Sequence, residues 1–338
     1  MDRRDEILKF IKKGDRGVEI APWFNPLVAK RDGYNSLVLD IFDAESLRAR
    51  ASLDPNIPRV SIPLIEEVDV VGSATFIGDL IRARGESNSF DYVVSSHNFE
   101  HLPNPIKFLQ GCGEVLRSGG VVSVAVPDRR CCFDYFRPVT RLSEWLEAFV
   151  KESEQPSCAQ CFDTREMFAS YRVGSGRLHS FARGVRSEDV GVDLAEVNLR
   201  GLLQDWMLRV KSGDKTYHDS HCSVFTPSSF ELLVRDAGFL GLVPFEIIEI
   251  RAGHGEFYAH LRLGRSGDSL RLADYEEIRN CLLRRIQDEC AETSGRFQEM
   301  LQEVGGKRRE VGQYSNGGRA KRLVRRLISR VINVIGRV

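Results

Sequence analysis

A short apolar run that ends in a proline-bounded turn sets the tightest limit on what this chain can fold into. Gly17-Val18-Glu19-Ile20-Ala21-Pro22-Trp23-Phe24-Asn25-Pro26 begins as a strand, and Pro22 and Pro26 then rule out simple continuation as strand or helix. Pro26 to Lys30 reads as a short helix, with Asn25 as N-cap and Pro26 at the first helical position. The next apolar run, Ser36-Leu37-Val38-Leu39, ends in Asp40. Strand, tight loop, helix, strand and acid make half of a nucleotide-binding βαβ unit. In such a unit the ligand sits beyond the carboxyl ends of the strands, and the acid takes ribose hydroxyls.

The pattern continues. Residues 2–13 read as an amphipathic helix with Ile7, Leu8, Phe10 and Ile11 on one side. Glu45–Ala51 is a short helix, Val68–Val71 a third strand, and Phe76–Arg84 a helix. Phe90–Ser96 is a fourth strand, Pro105–Leu116 a helix, and Val121–Val126 a fifth strand of the buried parallel kind. Residues 129–220 then interrupt the alternation, and it resumes with a helix over Ser228–Ala237 and a hairpin of Leu242–Arg251 and Glu256–Leu263.

Three stretches carry a family resemblance. Glu19-Ile-Ala-Pro-Trp-Phe-Asn-Pro with Val38-Leu-Asp40 resembles the first motifs of Rossmann-like S-adenosylmethionine-dependent methyltransferases, in a branch with E-I-G-P-x-x-N-P in place of three glycines. Ala21 stands where the first glycine is usual, and Trp23 and Asn25 hold the other two positions. Phe90-Asp-Tyr-Val-Val-Ser-Ser-His-Asn-Phe-Glu-His-Leu-Pro-Asn-Pro105 resembles the fourth-strand motif, and Val115-Leu-Arg-Ser-Gly-Gly-Val-Val122 the turn into the fifth strand. The likeness covers roughly 17–130, resumes near 219 and leaves out the C-terminal quarter. It implies an α/β fold: a seven-stranded mixed sheet with a C-terminal antiparallel hairpin, a helical insertion after strand 5 and a helical C-terminal extension. On this division the methyltransferase domain is 1–264, with 129–220 as a lid or acceptor-binding segment, or else a decorative or oligomer-forming one.

The resemblance implies S-adenosylmethionine as cofactor. Glu19 would support the loop and the methionine end, while Ala21, Pro22 and Asn25 line the loop with backbone groups. Asp40 would hold the ribose, Ser73 would face adenine, and Ser96 and His97 would pass beside the sulfonium. A hydroxyl acceptor needs a base, and the candidates are His97, His101, Asp128 and His221; His101 can instead cap or orient the following helix. Tyr217-His-Asp-Ser-His-Cys-Ser-Val-Phe-Thr-Pro227 and Pro127-Asp-Arg-Arg-Cys-Cys-Phe-Asp134 resemble runs of the same branch, seen among bacterial enzymes encoded with polysaccharide-building glycosyltransferases. That association points to a sugar or glycolipid hydroxyl. Arg129 and Arg130 either hold an anionic acceptor group or pin the insertion through internal ion pairs. A methyltransferase of another small molecule and a non-catalytic protein that keeps the fold are the alternatives. An NAD-type oxidoreductase is disfavoured by the missing G-x-G-x-x-G loop and the antiparallel hairpin.

Eight cysteines include one C-x-x-C, Cys158-Ala-Gln-Cys161, with no second pair at finger-like spacing, so no metal site is read from the sequence. The 14 N-terminal residues are mostly charged and polar, which reads as a cytoplasmic chain. Net charge is zero, yet residues 319–338 hold seven Arg or Lys and no acid, leaving the rest at −7. A body of that sign does not suit nucleic acid. Residues 270–304 read as one long amphipathic helix, dimer-forming or packed on the body, and 305–318 as a glycine-rich linker. Residues 319–338 read as a basic amphipathic helix that either lies on an anionic membrane surface or packs on protein.

Overall fold

A computed structural model describes residues 2–214, 216–264 and 271–291. The elements run α1 (Arg3–Ile7), β1 (Arg16–Ile20), β2 (Asn35–Asp40), α2 (Ala44–Leu53), β3 (Val70–Val71), α3 (Ile77–Ala83), β4 (Phe90–Ser96), α4 (Pro105–Val115) and β5 (Leu116–Pro127). The insertion holds α5 (Leu142–Val150), α6 (Cys158–Glu166), β6 (Ala169–Val173), β7 (Gly176–Leu178), β8 (Val190–Val192), α7 (Leu194–Val197) and α8 (Leu199–Ser212). Then come α9 (Pro227–Phe239), β9 (Phe245–Ala252), β10 (Glu256–Leu263) and α10 (Leu272–Ala291).

The main sheet has the order β3-β2-β1-β4-β5-β10-β9. β1 to β5 are parallel, and β10 runs antiparallel to both β5 and β9. The order reverses between β1 and β4, and this switch point is where an open α/β sheet leaves a crevice at its carboxyl edge. Two close approaches set the packing. A Cβ on Gly17 would stand 2.0 Å from the Tyr92 ring of β4, so only glycine lets that ring lie across β1. A Cβ on Gly111 would stand 2.7 Å from Gly78 N, so α3 and α4 cross backbone to backbone. One apolar core forms around Val18, Phe90, Phe99, Phe225, Phe230 and Phe257; the first helix covers a second one, placing Ile7 against Val28, Tyr92, Val94 and Tyr258.

Several local expectations need correction. The helix expected over Pro26–Lys30 does not form; only a 3₁₀ turn at Lys30–Asp32 follows the loop. The Glu19 carboxylate accepts the Leu27 and Val28 N–H groups, so these donors are tied to β1 instead of opening a helix. The first helix stops at Ile7 instead of continuing to residue 13; the chain turns over residues 8–10, and Lys12 N then donates to Asp15 Oδ2. Leu8 and Ile11 pack on the sheet all the same. β5 starts at Leu116, with residues 117–120 bulged out between the Leu116–Phe90 and Val121–Tyr92 pairs. The insertion carries helices as expected, and also an antiparallel sheet of order β7-β6-β8 that periodicity did not reveal in such short strands.

α10 packs on α9 through Leu282 and Ile286 against Leu232. Tyr275 Oη donates to Asp236 at 2.5 Å, and Arg279 pairs with the same carboxylate. The described part of the long C-terminal helix is thus attached to the body. Residues 292–338, with the expected linker and basic helix, lie outside the described residues.

Candidate functional site

A cleft of about 470 Å³, its open mouth included, lies at the carboxyl edge where the strand order reverses. Its walls come from Ala21, Asp40, Ser73, Asn98 and His101, and Glu154 and Tyr217 of the insertion close over it. The loop after β1 takes the shape that glycines would give it. Ala21 has φ 47° and Trp23 φ 44°, both in the left-handed region that L-residues avoid. Asn25 is exposed and forms a turn through its N–H to Pro22 O, at negative φ. Glu19 is buried beneath this loop, with Oε1 2.6 Å from Leu27 N and Oε2 3.1 Å from Val28 N. Burial pushes its pKa up to about 7, against those two hydrogen bonds.

Asp40 ends β2 at the cleft wall, and its Oδ1 accepts from Phe42 N at 3.1 Å. Burial raises its pKa, and no cationic side chain pairs with it among the described residues. Ser73 caps the turn after β3 through Thr75 N, and its residue lines the same cleft. Ser96, at the end of β4, accepts from Arg3 Nη2 at 2.6 Å and so is tied to the first helix. Sequence reading missed Asn98, Glu154 and Tyr217. Asn98 Oδ1 is buried without a hydrogen-bond partner among the described residues. Glu154 and Tyr217 reach the cleft only because the insertion folds back, and no local pattern announces that.

Beside the cleft, two histidines of the turn after β4 and one from the distant return of the insertion converge on Glu100, which is 1% exposed. Its Oε1 lies 3.7 Å from His97 Nδ1, 3.9 Å from His101 Nε2 and 4.0 Å from His221 Nε2. All three separations are too long for hydrogen bonds, and neither carboxylate oxygen of Glu100 has a hydrogen-bond partner among the described residues. His221 Nδ1 is bound by Asp134 Oδ2 at 2.5 Å, and Asp134 Oδ1 accepts from Arg137 Nη1 at 2.6 Å. His101 Nδ1 lies 2.9 Å from Asp219 Oδ1, as an ion pair and not an aligned hydrogen bond. The His101 and His221 rings meet edge to face, 4.6 Å apart.

His97 stands at the rim of this cluster with φ 51° and its side chain about half exposed. Its Nε2 is 2.8 Å from Glu256 Oε2, and Glu256 also takes Arg3 and Tyr258 Oη. Burial alone would lower the His97 pKa; the Glu256 hydrogen bond and the Glu100 charge carry it above the ordinary value. His97, His101 and His221 are therefore brought together, and Asp128 is not placed with them as a free carboxylate. Both its oxygens are engaged by Arg130, at 2.9 and 2.6 Å, deep in the fold. Arg129 donates to Tyr135 O at 2.5 Å, so both arginines act within the protein. Cys158 and Cys161 lie on α6, and Cys161 Sγ is within reach of Arg209 and His218 O.

Sheet order, antiparallel hairpin and cleft at the switch point together define a Rossmann-like α/β protein built to hold a nucleotide-type cofactor. The family model described as a methyltransferase domain matches residues 15–242, more than half of the chain, and the protein belongs to that family. It is an S-adenosylmethionine-dependent methyltransferase. No curated protein matches the sequence. Among solved structures, a methyltransferase from Aquifex aeolicus is 12% identical over 77% of this chain and 89% of its own, with TM-score 0.35. A methyltransferase from Methanosarcina mazei is 13% identical over 76% and 96%, with TM-score 0.35. A putative zinc-dependent alcohol dehydrogenase from Rhodobacter sphaeroides is 12% identical over 77% and 89%, with TM-score 0.41. Likeness this remote assigns no substrate.

Proposed function

We propose that the protein methylates a hydroxyl of a sugar or glycolipid precursor, and that the cleft beside Asp40 holds the cofactor. The donor set suits that group. Asp40 offers a carboxylate with no competing cation, and Asn98 offers a buried acceptor with no partner of its own. Asp40 would accept from the ribose hydroxyls, Ser73 would stand by the adenine, and the backbone of Ala21, Pro22 and Asn25 would border the methionine end. Glu19 braces that loop from below. Bound S-adenosylmethionine supplies a methyl group on a positively charged sulfur, activated for in-line displacement.

The observation that carries the hydroxyl reading is the His97–Glu256 pair beside the cleft. A hydroxyl must lose a proton as it attacks, and a histidine held by a carboxylate is a base of the right strength. Glu256 fixes His97 through Nε2, which leaves Nδ1 to take the proton. The proton released as the acceptor oxygen takes the methyl group would pass to His97 Nδ1. What supports a sugar is the likeness of the Pro127–Asp134 and Tyr217–Pro227 runs to the polysaccharide-linked branch. The insertion, 129–220, would then act as lid and acceptor wall through Glu154 and Tyr217. The basic segment 319–338 would bring the protein to the cytoplasmic face of an anionic membrane, where lipid-linked precursors reside.

Labelled S-adenosylmethionine incubated with the protein and fractionated cell glycans tests the proposal. Label in a glycan or glycolipid fraction is expected. Label only in other small molecules keeps methyl transfer and discards the sugar.

A further inference from the structure

We propose that Glu100, His101 and His221 form a binding site for one divalent transition cation of the zinc class. No metal pattern is visible in the sequence, since the donors come from the turn after β4 and from the return of the insertion, 120 positions beyond His101. In the fold, one ligand atom from each lies within 4.8 Å of the other two. A donor atom bound about 2.1 Å from zinc stands about 3.4 Å from the next in a tetrahedral shell. The His101 and His221 nitrogens at 3.9 and 4.0 Å from Glu100 Oε1 need close by only about half an ångström.

Three further observations point to a cation and not to ordinary packing. Glu100 is a carboxylate buried almost completely with neither oxygen hydrogen-bonded, an expensive arrangement unless something positive meets it. Both histidines are turned the same way: Nδ1 faces a carboxylate, Asp134 or Asp219, and Nε2 faces Glu100. A carboxylate behind each ring is how metal-bound imidazoles are oriented and made better donors. Finally, Glu100, Asp134 and Asp219 set three carboxylates against one guanidinium, Arg137, among the described residues; metal-bound rings would be neutral and would leave two negative charges for a dication to balance.

Two imidazoles and one carboxylate favour zinc, iron or manganese over magnesium or calcium, which prefer oxygen donors throughout. Such a set leaves a coordination position open. His101 also lines the cofactor cleft, so a cation held by it would lie beside the place where methyl transfer would occur. A hydroxyl bound to such a cation would be acidified by it, with His97 at the rim to receive the proton. The cation would thus orient the acceptor as well as activate it. Binding of the metal itself does not depend on what the acceptor is.

The test is calorimetric titration of EDTA-stripped full-length protein with Zn²⁺ alone, repeated with Mg²⁺. One equivalent of Zn²⁺ should bind, with Mg²⁺ at least tenfold weaker. Glu100→Gln and His221→Asn should each weaken Zn²⁺ binding tenfold or more, and Asp134→Asn by about 10–100-fold. Cys158→Ser and Cys161→Ser should leave it unchanged. Circular dichroism reports whether each variant folds; if Glu100→Gln does not, His101→Asn at the cleft rim takes its place. Absence of a stoichiometric Zn²⁺ site in the wild type overturns the proposal. So does binding that survives both ligand substitutions, or that is lost with the cysteines. Because neither cofactor nor acceptor is present, failure here leaves the sugar reading standing, and failure of the sugar reading leaves this one.

Discussion

The two halves of the ligand edge are built from different materials. Around β1, β2 and β3 the wall is mostly backbone: a loop bent through two left-handed residues, a capped turn and one carboxylate at Asp40. Around β4, β10 and the returning insertion it is side chains, with three imidazoles around Glu100 and carboxylates behind them. The first half suits a ligand of constant shape. The second suits chemistry, where protons and charge must move, and it depends on the insertion for two of its parts, Asp134 and Asp219. The half proposed to hold the cofactor should therefore tolerate changes that silence the half proposed to be reactive, and the reverse.

The sharpest way to separate the halves is His97→Asn, since asparagine tolerates the positive φ at that position. Loss of a general base should lower kcat by about 100- to 10,000-fold, with S-adenosylhomocysteine affinity little changed in calorimetry. A parallel loss of cofactor affinity would merge the two halves into one.

Buried titrating groups on each side should respond to pH in opposite directions. Glu19 sits under the loop after β1 with its pKa raised to about 7. The native state therefore holds its proton longer than the unfolded chain, and stability from this group falls as pH rises from about 4.5 to about 7. His260, on β10 behind the reactive half, is pushed down to about 4 by burial and accepts or donates at Ser123 Oγ. Its contribution is present above pH 6.5 and is lost as pH falls toward 4. Each effect is worth up to about 3 kcal/mol at 1.36 kcal/mol per unit. Urea midpoints across pH 4–7.5 for Glu19→Gln and His260→Gln should show opposite differences from the wild type. Differences of one sign would mean that one of the two environments is misread.

The smallest expected effect is at the loop itself. Ala21→Gly relieves a left-handed alanine and adds freedom to the unfolded chain, for a net gain of at most about 1 kcal/mol. Thermal unfolding should show that gain without loss of cofactor binding. A clear destabilisation would mean that the strain at Ala21 is imposed by packing which glycine cannot supply.

The sheet was legible because its strands are apolar runs closed by glycine, proline or acid. Phe90–Ser96 and Glu256–Leu263 form over the residues their patterns mark. Local propensity misled where a distant group outbid it: Pro26–Lys30 carries helix-start signals, yet Glu19 takes the N–H groups the helix would use. β6, β7 and β8 are three to five residues long, too short for alternation to register. In the site, Asp40 could be named because strand-end acids have a local signature. Glu100 could not be given a role, because its surroundings exist only once His221 and Asp134 have been brought to it across the fold. Asp128 has the composition of a base but a neighbour, Arg130, that occupies it.

The division of labour between the halves is tested most directly by titrating S-adenosylhomocysteine into wild type, Asp40→Ala and Glu100→Gln in the calorimeter. Asp40→Ala should weaken binding by about 1.5–3 kcal/mol, roughly 10- to 100-fold, as expected for lost charge-assisted hydrogen bonds. Glu100→Gln should stay near the wild type. Unchanged affinity in Asp40→Ala, or equal losses in both variants, would contradict the account.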